Sequence, residues 1–265
     1  MESNDVTTAV ITGATSGIGA AFARCFAAQG HHLLVTGRRR AQIETLADEI
    51  AQQHGVGVAV EIAELTDEDD LSRLAARVGN LRQIEVLVNN AGFGLGSQGF
   101  QAQDFADHAA MLKVHALATM RLTHVALPAM LARHCGSIIN VASVAAFVPI
   151  PRHAMYSATK NFVVTFSESL AIELRGTGVR VQALCPGFTR TDFHVRQGID
   201  PNRYYRTRGP LKAMTPDEVV SASLHGLAHN DVICVPGFRN RLLSVIPHWL
   251  PRRLLYRLLA STREL

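Results

Sequence analysis

Short apolar runs of strand length recur along the chain at residues 8–12, 32–36, 56–62, 84–89, 137–142, 179–184 and 232–235. Helical periodicity fills most of the gaps between them, and that alternation commits the chain to parallel βαβ units. Helices then cover both faces of the sheet, so its strands read as nearly continuous apolar text, as in VLV and SIINV, rather than as alternating text. The expected fold class is α/β: a doubly wound parallel β-sheet of about seven strands flanked by helices, an α/β/α sandwich. A chain of 265 residues fits this in one domain, placed at 1–238, with 239–265 as a basic, apolar C-terminal extension.

Composition narrows the function classes. With 48% hydrophobic and 18% charged residues the chain is neither disordered nor collagen-like. Cys25, Cys135, Cys185 and Cys234 lie far apart with no CxxC or paired Cys/His spacing. They read as small hydrophobes in a reducing compartment, and no metal site is expected. The N-terminus has no basic region before its first apolar run, and no stretch approaches about 18 uninterrupted apolar residues. A cytoplasmic protein is expected. Net charge is +4, and only Lys113, Lys160 and Lys212 are lysines, so arginine carries the positive charge. Arginines cluster at Arg38, Arg39 and Arg40 and again from Arg239 to Arg257, which points to a local anionic ligand and a local anionic surface, not to a nucleic-acid face.

Directly after the first run comes a glycine-rich turn, Thr12-Gly13-Ala14-Thr15-Ser16-Gly17-Ile18-Gly19, and then a helical segment. Strand, glycine turn and helix N-terminus make a phosphate cradle, because glycine admits a close backbone approach and the first helical amides attract negative charge. The second run ends in Thr36-Gly37-Arg38-Arg39. An acidic residue there would bond a ribose 2′-hydroxyl, whereas a guanidinium grips a 2′-phosphate, so NADP(H) is expected in preference to NAD(H).

Tyr156 and Lys160 stand four residues apart, on one face of a helix. An ammonium there is expected to lower the phenol pKa and let Tyr156 exchange protons near neutral pH. Ser143 closes the SIINVAS strand, at the sheet edge where open α/β folds bind ligands. Between Pro186 and Met214 a long irregular segment is expected to cover the site, and Phe93, Phe147 and Phe193 to supply apolar walls. Thr215 then caps a helix that has Pro216 in its first position.

TGATSGIG at 12–19, NNAG at 89–92, Ser143, YSATK at 156–160 and PGFTRT at 186–191 resemble, in order and spacing, the motifs of the single-domain short-chain dehydrogenase/reductases. The resemblance spans roughly residues 6–235 and implies a Rossmann-like fold. It implies a proton donor in Tyr156, a carbonyl anchor in Ser143, and in Lys160 a ribose ligand that activates the tyrosine. Asn89 with its neighbours Ala91 and Gly92 would close the adenosine side. Pro186, Gly187, Thr189 and Thr191 would hold the nicotinamide carboxamide.

Two positions depart from the family pattern. His115 stands where an asparagine is usual, and is either a proton shuttle or a hydrogen-bonded core histidine. Glu64, followed by Leu65, stands where an aspartate usually contacts adenine.

The extension is basic, apolar and bears the chain's one tryptophan, Trp249. It can pack on the domain, on a partner subunit or on a membrane surface. The packed or oligomeric reading is placed first, because Pro247 and Pro251 should break its helical face.

The expected function is NADP(H)-dependent interconversion of a carbonyl (ketone, aldehyde or acyl-type, hydrophobic) and an alcohol, with Tyr156 as general acid/base. The alternatives are a dinucleotide-binding sensor or scaffold without turnover, and a membrane-surface reductase of lipid carbonyls. The resemblance also implies a homodimer or homotetramer formed through helices in 105–133 and 153–176.

Overall fold

The computed structural model describes residues 6–195 and 213–261. Seven strands appear where the apolar runs predicted them: β1 (Thr8–Thr12), β2 (His32–Gly37), β3 (Val58–Ile62), β4 (Ile84–Asn89), β5 (Gly136–Val141), β6 (Val179–Leu184) and β7 (Ile233–Cys234). All neighbours pair in parallel, in the order β3-β2-β1-β4-β5-β6-β7. The winding direction reverses between β1 and β4, and the crevice beyond that junction is where such sheets bind ligands.

The helices are α1 (Gly17–Ala28), α2 (Arg40–His54), α3 (Glu68–Gly79), α4 (Phe105–Leu112), α5 (Thr119–Ala132), α6 (Ala154–Glu173), the short α7 (Asp192–Val195), α8 (Pro216–Ala228), α9 (Phe238–Trp249) and α10 (Arg252–Ser261). Successive strand residues point to opposite faces, so the continuous apolar runs feed two cores. Ala9 and Ile11 pack with α1, α2 and α8, while Val10 packs with α3 and α5. Each fully buried large side chain, such as Phe22 or Leu74, contributes about 1.5–3 kcal/mol.

Local chemistry explains the element ends nearest the site. α8 opens with a capping box: the Thr215 hydroxyl accepts the Glu218 amide at 3.2 Å, and the Glu218 carboxylate accepts the Thr215 amide at 2.7 Å. Between α4 and α5 the helix widens into a π turn, Lys113–Ala118, which carries His115 inward. α6 is a long helix whose buried side bears Ser157, Thr159 and Lys160.

The break expected at Pro247 is absent. Pro247 lies in the last turn of α9, where its missing amide removes a single backbone bond, and Pro251 stands between α9 and α10. Among the described residues no helix is long and apolar enough to cross a membrane. The segment expected to cover the site is described at 188–195 and 213–214; Lys212 and the rest of it lie outside the described residues. Cys185 and Cys234 are buried and Cys25 and Cys135 partly so, all four as free thiols.

Candidate active site

β1 runs straight into the glycine turn. Gly13 takes φ 64°, and a Cβ there would lie 2.8 Å from the Ala91 Cα; at Gly19 it would lie 2.4 Å from the Gly13 carbonyl oxygen. Only glycine fits either position. The Thr12 hydroxyl accepts the amides of Asn90 and Ala91 at 2.9 and 3.0 Å. The Asn90 side chain returns two bonds, to the carbonyls of Thr12 at 2.9 Å and Gly13 at 3.0 Å. β4 thereby braces the turn.

Asn89 does not close the adenosine side. It points to the opposite face from Asn90, as successive strand residues must, and donates to Asn140 at 2.9 Å and Thr123 at 3.1 Å inside the fold. The second asparagine of NNAG is the one that reaches the turn.

The turn suits a dinucleotide on three counts. The Ser16 side chain makes no capping bond to the first amides of α1, which leaves them to an anion. Arg39 donates to the hydroxyls of Thr15 at 2.6 Å and Ser16 at 3.0 Å, so a guanidinium overhangs the turn. The buried Thr36 hydroxyl, at the end of β2 and on the cleft wall, has no hydrogen-bond partner among the described residues. Arg38 donates to Glu64 at 2.9 Å. Burial alone would raise the Glu64 carboxyl, but the Arg38 bond and charge together with the hydrogen bonds from Thr66 outweigh it and hold the pKa below its ordinary value.

Ser143, Tyr156 and Lys160 come together across the cleft. Ser143 follows β5 and its hydroxyl accepts the Ala145 amide at 3.1 Å. Lys160 donates to the Val141 carbonyl at 2.8 Å, and its ammonium sits 5.8 Å from the centre of the Tyr156 ring. The expected lowering of the phenol is not what the structure shows. Burial pushes Tyr156 up to about 12 against the opposing pull of Ser143. Burial also brings Lys160 down to about 8. Desolvation disfavours both charged forms, so the helical spacing does not decide the phenol's titration.

The structure places His115 as a buried, hydrogen-bonded core histidine. Its Nε2 accepts the Phe93 amide at 3.0 Å. The ring proton therefore sits on Nδ1, facing the Thr159 hydroxyl at 2.9 Å, and that hydroxyl donates to the Tyr156 carbonyl at 3.1 Å. Burial, then the Lys160 charge, holds its pKa well below the ordinary histidine value. Both ring nitrogens are engaged and the ring is neutral.

A single cleft of about 880 Å³ collects these groups. Of the catalytic and cofactor-binding residues expected from the sequence, Gly19, Asn89 and His115 lie off its wall. Phe93 and Phe193 line it, whereas Phe147 packs against Ala142, Ala146 and Val163. Val144, Ile150 and Phe188 add apolar surface, and Arg152 and His153 stand beside them. No motif marks Ile150 or Arg152; they reach the cleft because the chain turns there just before α6. Thr189 bridges to Met214, and Thr191 packs on Gly17, joining the PGFTRT loop to the glycine turn. Among the described residues no cluster of His, Cys, Asp or Glu could hold a metal.

Comparison with known proteins agrees with this geometry. The profile of the family described as short chain dehydrogenase matches residues 7–201. Sulfoacetaldehyde reductase 2 of Chromohalobacter salexigens is 38% identical over 229 residues, 84% of this chain and 90% of that relative. A short-chain dehydrogenase from Sphingobium yanoikuyae, solved in complex with NADPH, superposes with a TM-score of 0.83 at 33% identity, covering 95% of each chain. The bulky-bulky ketone specific alcohol dehydrogenase of Comamonas testosteroni gives 0.78 at 30% identity, covering 98% of this chain and 93% of that one. With so much of its length matched, and the glycine turn and the serine, tyrosine and lysine meeting in one cleft, this chain belongs to the short-chain dehydrogenase family.

Proposed function

We propose that this enzyme reduces the carbonyl of an apolar ketone, aldehyde or acyl compound, or runs the reverse oxidation, with Tyr156 as the general acid and base. It is an NADP(H)-dependent oxidoreductase of CH–OH and C=O groups. When bound, the nicotinamide supplies or accepts the hydride. The glycine turn would hold the pyrophosphate and Arg39 the 2′-phosphate, while Ser143 orients the substrate oxygen and Tyr156 delivers its proton. A phenol raised to about 12 stays protonated at neutral pH, the form that reduction requires. Lys160, brought down to about 8, sits close enough to the physiological range to return that proton.

The observation that carries this reading is the convergence of Ser143, Tyr156 and Lys160 on a cleft whose wall also carries the apolar residues Phe93, Val144, Ile150, Phe188 and Phe193. That wall favours a hydrophobic substrate body, in keeping with the bulky ketones named for the Comamonas enzyme. Exposed apolar side chains on α4 to α6, including Phe105, Leu112, Met120 and Phe162, favour homo-oligomerisation through those helices.

The test is a titration with NADPH and with NADH, followed by a panel of apolar ketones and aldehydes, on wild type and Tyr156→Phe. NADPH-preferring turnover that the substitution abolishes while cofactor binding persists is the expected result. Binding without turnover on any substrate would favour the sensor reading instead.

A further inference from the structure

α9 is amphipathic in the reverse of the usual sense. Its polar side chains Asn240 and Ser244 face the protein: Ser244 is 6% exposed, and Asn240 donates to the Pro236 carbonyl at 2.7 Å while packing against Gly187 of the cleft wall. Its apolar side chains face out. Phe238, Leu242, Val245 and Trp249 follow one another at spacings of four, three and four, one continuous helical stripe, with Ile246 beside them. Phe238 is 80% exposed and Trp249 83%. Folding leaves such a stripe in water only at a cost, so it marks a contact surface.

The charge around the stripe selects what covers it. From residue 232 to residue 263 the sequence holds six arginines and no aspartate or glutamate. A two-fold interface through this face would set the arginine-rich surface against itself, with no carboxylate in the segment to pair with it. An anionic bilayer matches both features: acyl chains take up the stripe, Trp249 suits the interfacial layer, and arginine side chains reach phosphate headgroups. Twelve residues are too few to span a bilayer, so the helix would lie in the interface plane.

We propose that the outward stripe of α9, with the exposed arginines of α10, docks this enzyme on anionic membrane surfaces. The surface is separate from the catalytic groups, so the proposal stands apart from the choice of substrate.

Trp249 is the chain's one tryptophan, so its emission reports on this stripe alone. The full-length protein is titrated with vesicles of phosphatidylcholine mixed with phosphatidylglycerol, and with vesicles of phosphatidylcholine alone. The expected result is a saturable blue shift on the mixed vesicles, weakened by salt and nearly absent on the neutral ones. Leu242→Ser with Val245→Ser, both at exposed positions, should weaken vesicle affinity about tenfold or more and leave turnover unchanged. No shift on either vesicle overturns the proposal, as does an equal, salt-independent shift on both. A blue shift that grows with protein concentration without lipid, matched by dimer formation in sedimentation, overturns it in favour of a second copy of the chain.

Discussion

Arg38 Nη1 lies 2.9 Å from Glu64 Oε2, so the carboxylate that follows β3 holds the first of the three arginines that follow β2. Its neighbour Arg39 instead reaches the hydroxyls of the glycine turn. The two guanidiniums are thereby divided: one is fastened at the rim and the other stands over the phosphate cradle.

From that division, Arg39→Ala should reduce the NADPH over NADH preference by about tenfold to a hundredfold, the worth of one charge-assisted phosphate contact. Arg38→Ala should reduce it less, since Glu64 already engages that side chain. Comparing kcat/KM for the two cofactors in each variant checks the ranking, and an equal loss in both would contradict it.

Because His115 is neutral and its tautomer is fixed by Phe93, it should add no ionisation to the pH–rate profile near the usual histidine value. His115→Ala should lower kcat by loosening the link between the Phe93 backbone and Thr159 on α6, with no displaced acid limb. Nitrogen NMR of the wild type should show the Nδ1–H tautomer throughout the neutral range. An imidazolium signal would refute this.

Lys160 holds a buried ammonium with no carboxylate partner among the described residues, and its pKa is brought down to about 8 from 10.5. A lysine lowered on folding disfavours the folded state wherever it remains charged in both states, fully below about 8. The penalty fades as pH rises from there to the unfolded value. Lys160→Met should therefore abolish turnover yet stabilise the cofactor-free protein by about 1–3 kcal/mol at neutral pH, an advantage that shrinks through that window. Denaturant titrations at pH 7 and above pH 10 measure the difference. The free enzyme's reduction rate should likewise fall as pH rises past about 8.

Arg152 adopts φ 66°, a left-handed conformation that disfavours side chains, and makes no hydrogen bond or ion pair with another described residue. Arg152→Gly should raise stability by about 0.5–1 kcal/mol through relief of that strain. Since Arg152 lines the cleft, the same change should raise KM for carboxylated substrates more than for neutral ones. A loss of stability would show that the residue is not strained.

Strand positions, the parallel sheet, the glycine turn and the start of α8 were legible before folding is considered, because each depends on local periodicity or on one residue's backbone freedom. Thr8–Thr12 and Thr215-Pro216 could be placed from neighbouring residues alone. What depends on burial and on distant partners emerged from the packed molecule. The i, i+4 spacing put Tyr156 and Lys160 on one face of a helix, yet the depth of the cleft raises the phenol rather than lowering it. NNAG offered two asparagines, and the pleat of β4 chose between them. His115 could shuttle protons or pack, and the Phe93 amide, 22 residues away, made it a neutral acceptor. Pro247 read as a helix breaker, but in the last turn of α9 a proline removes one hydrogen bond and leaves the apolar stripe whole. Propensity is local, whereas desolvation and hydrogen-bond partnership belong to residues that meet only after the chain has folded.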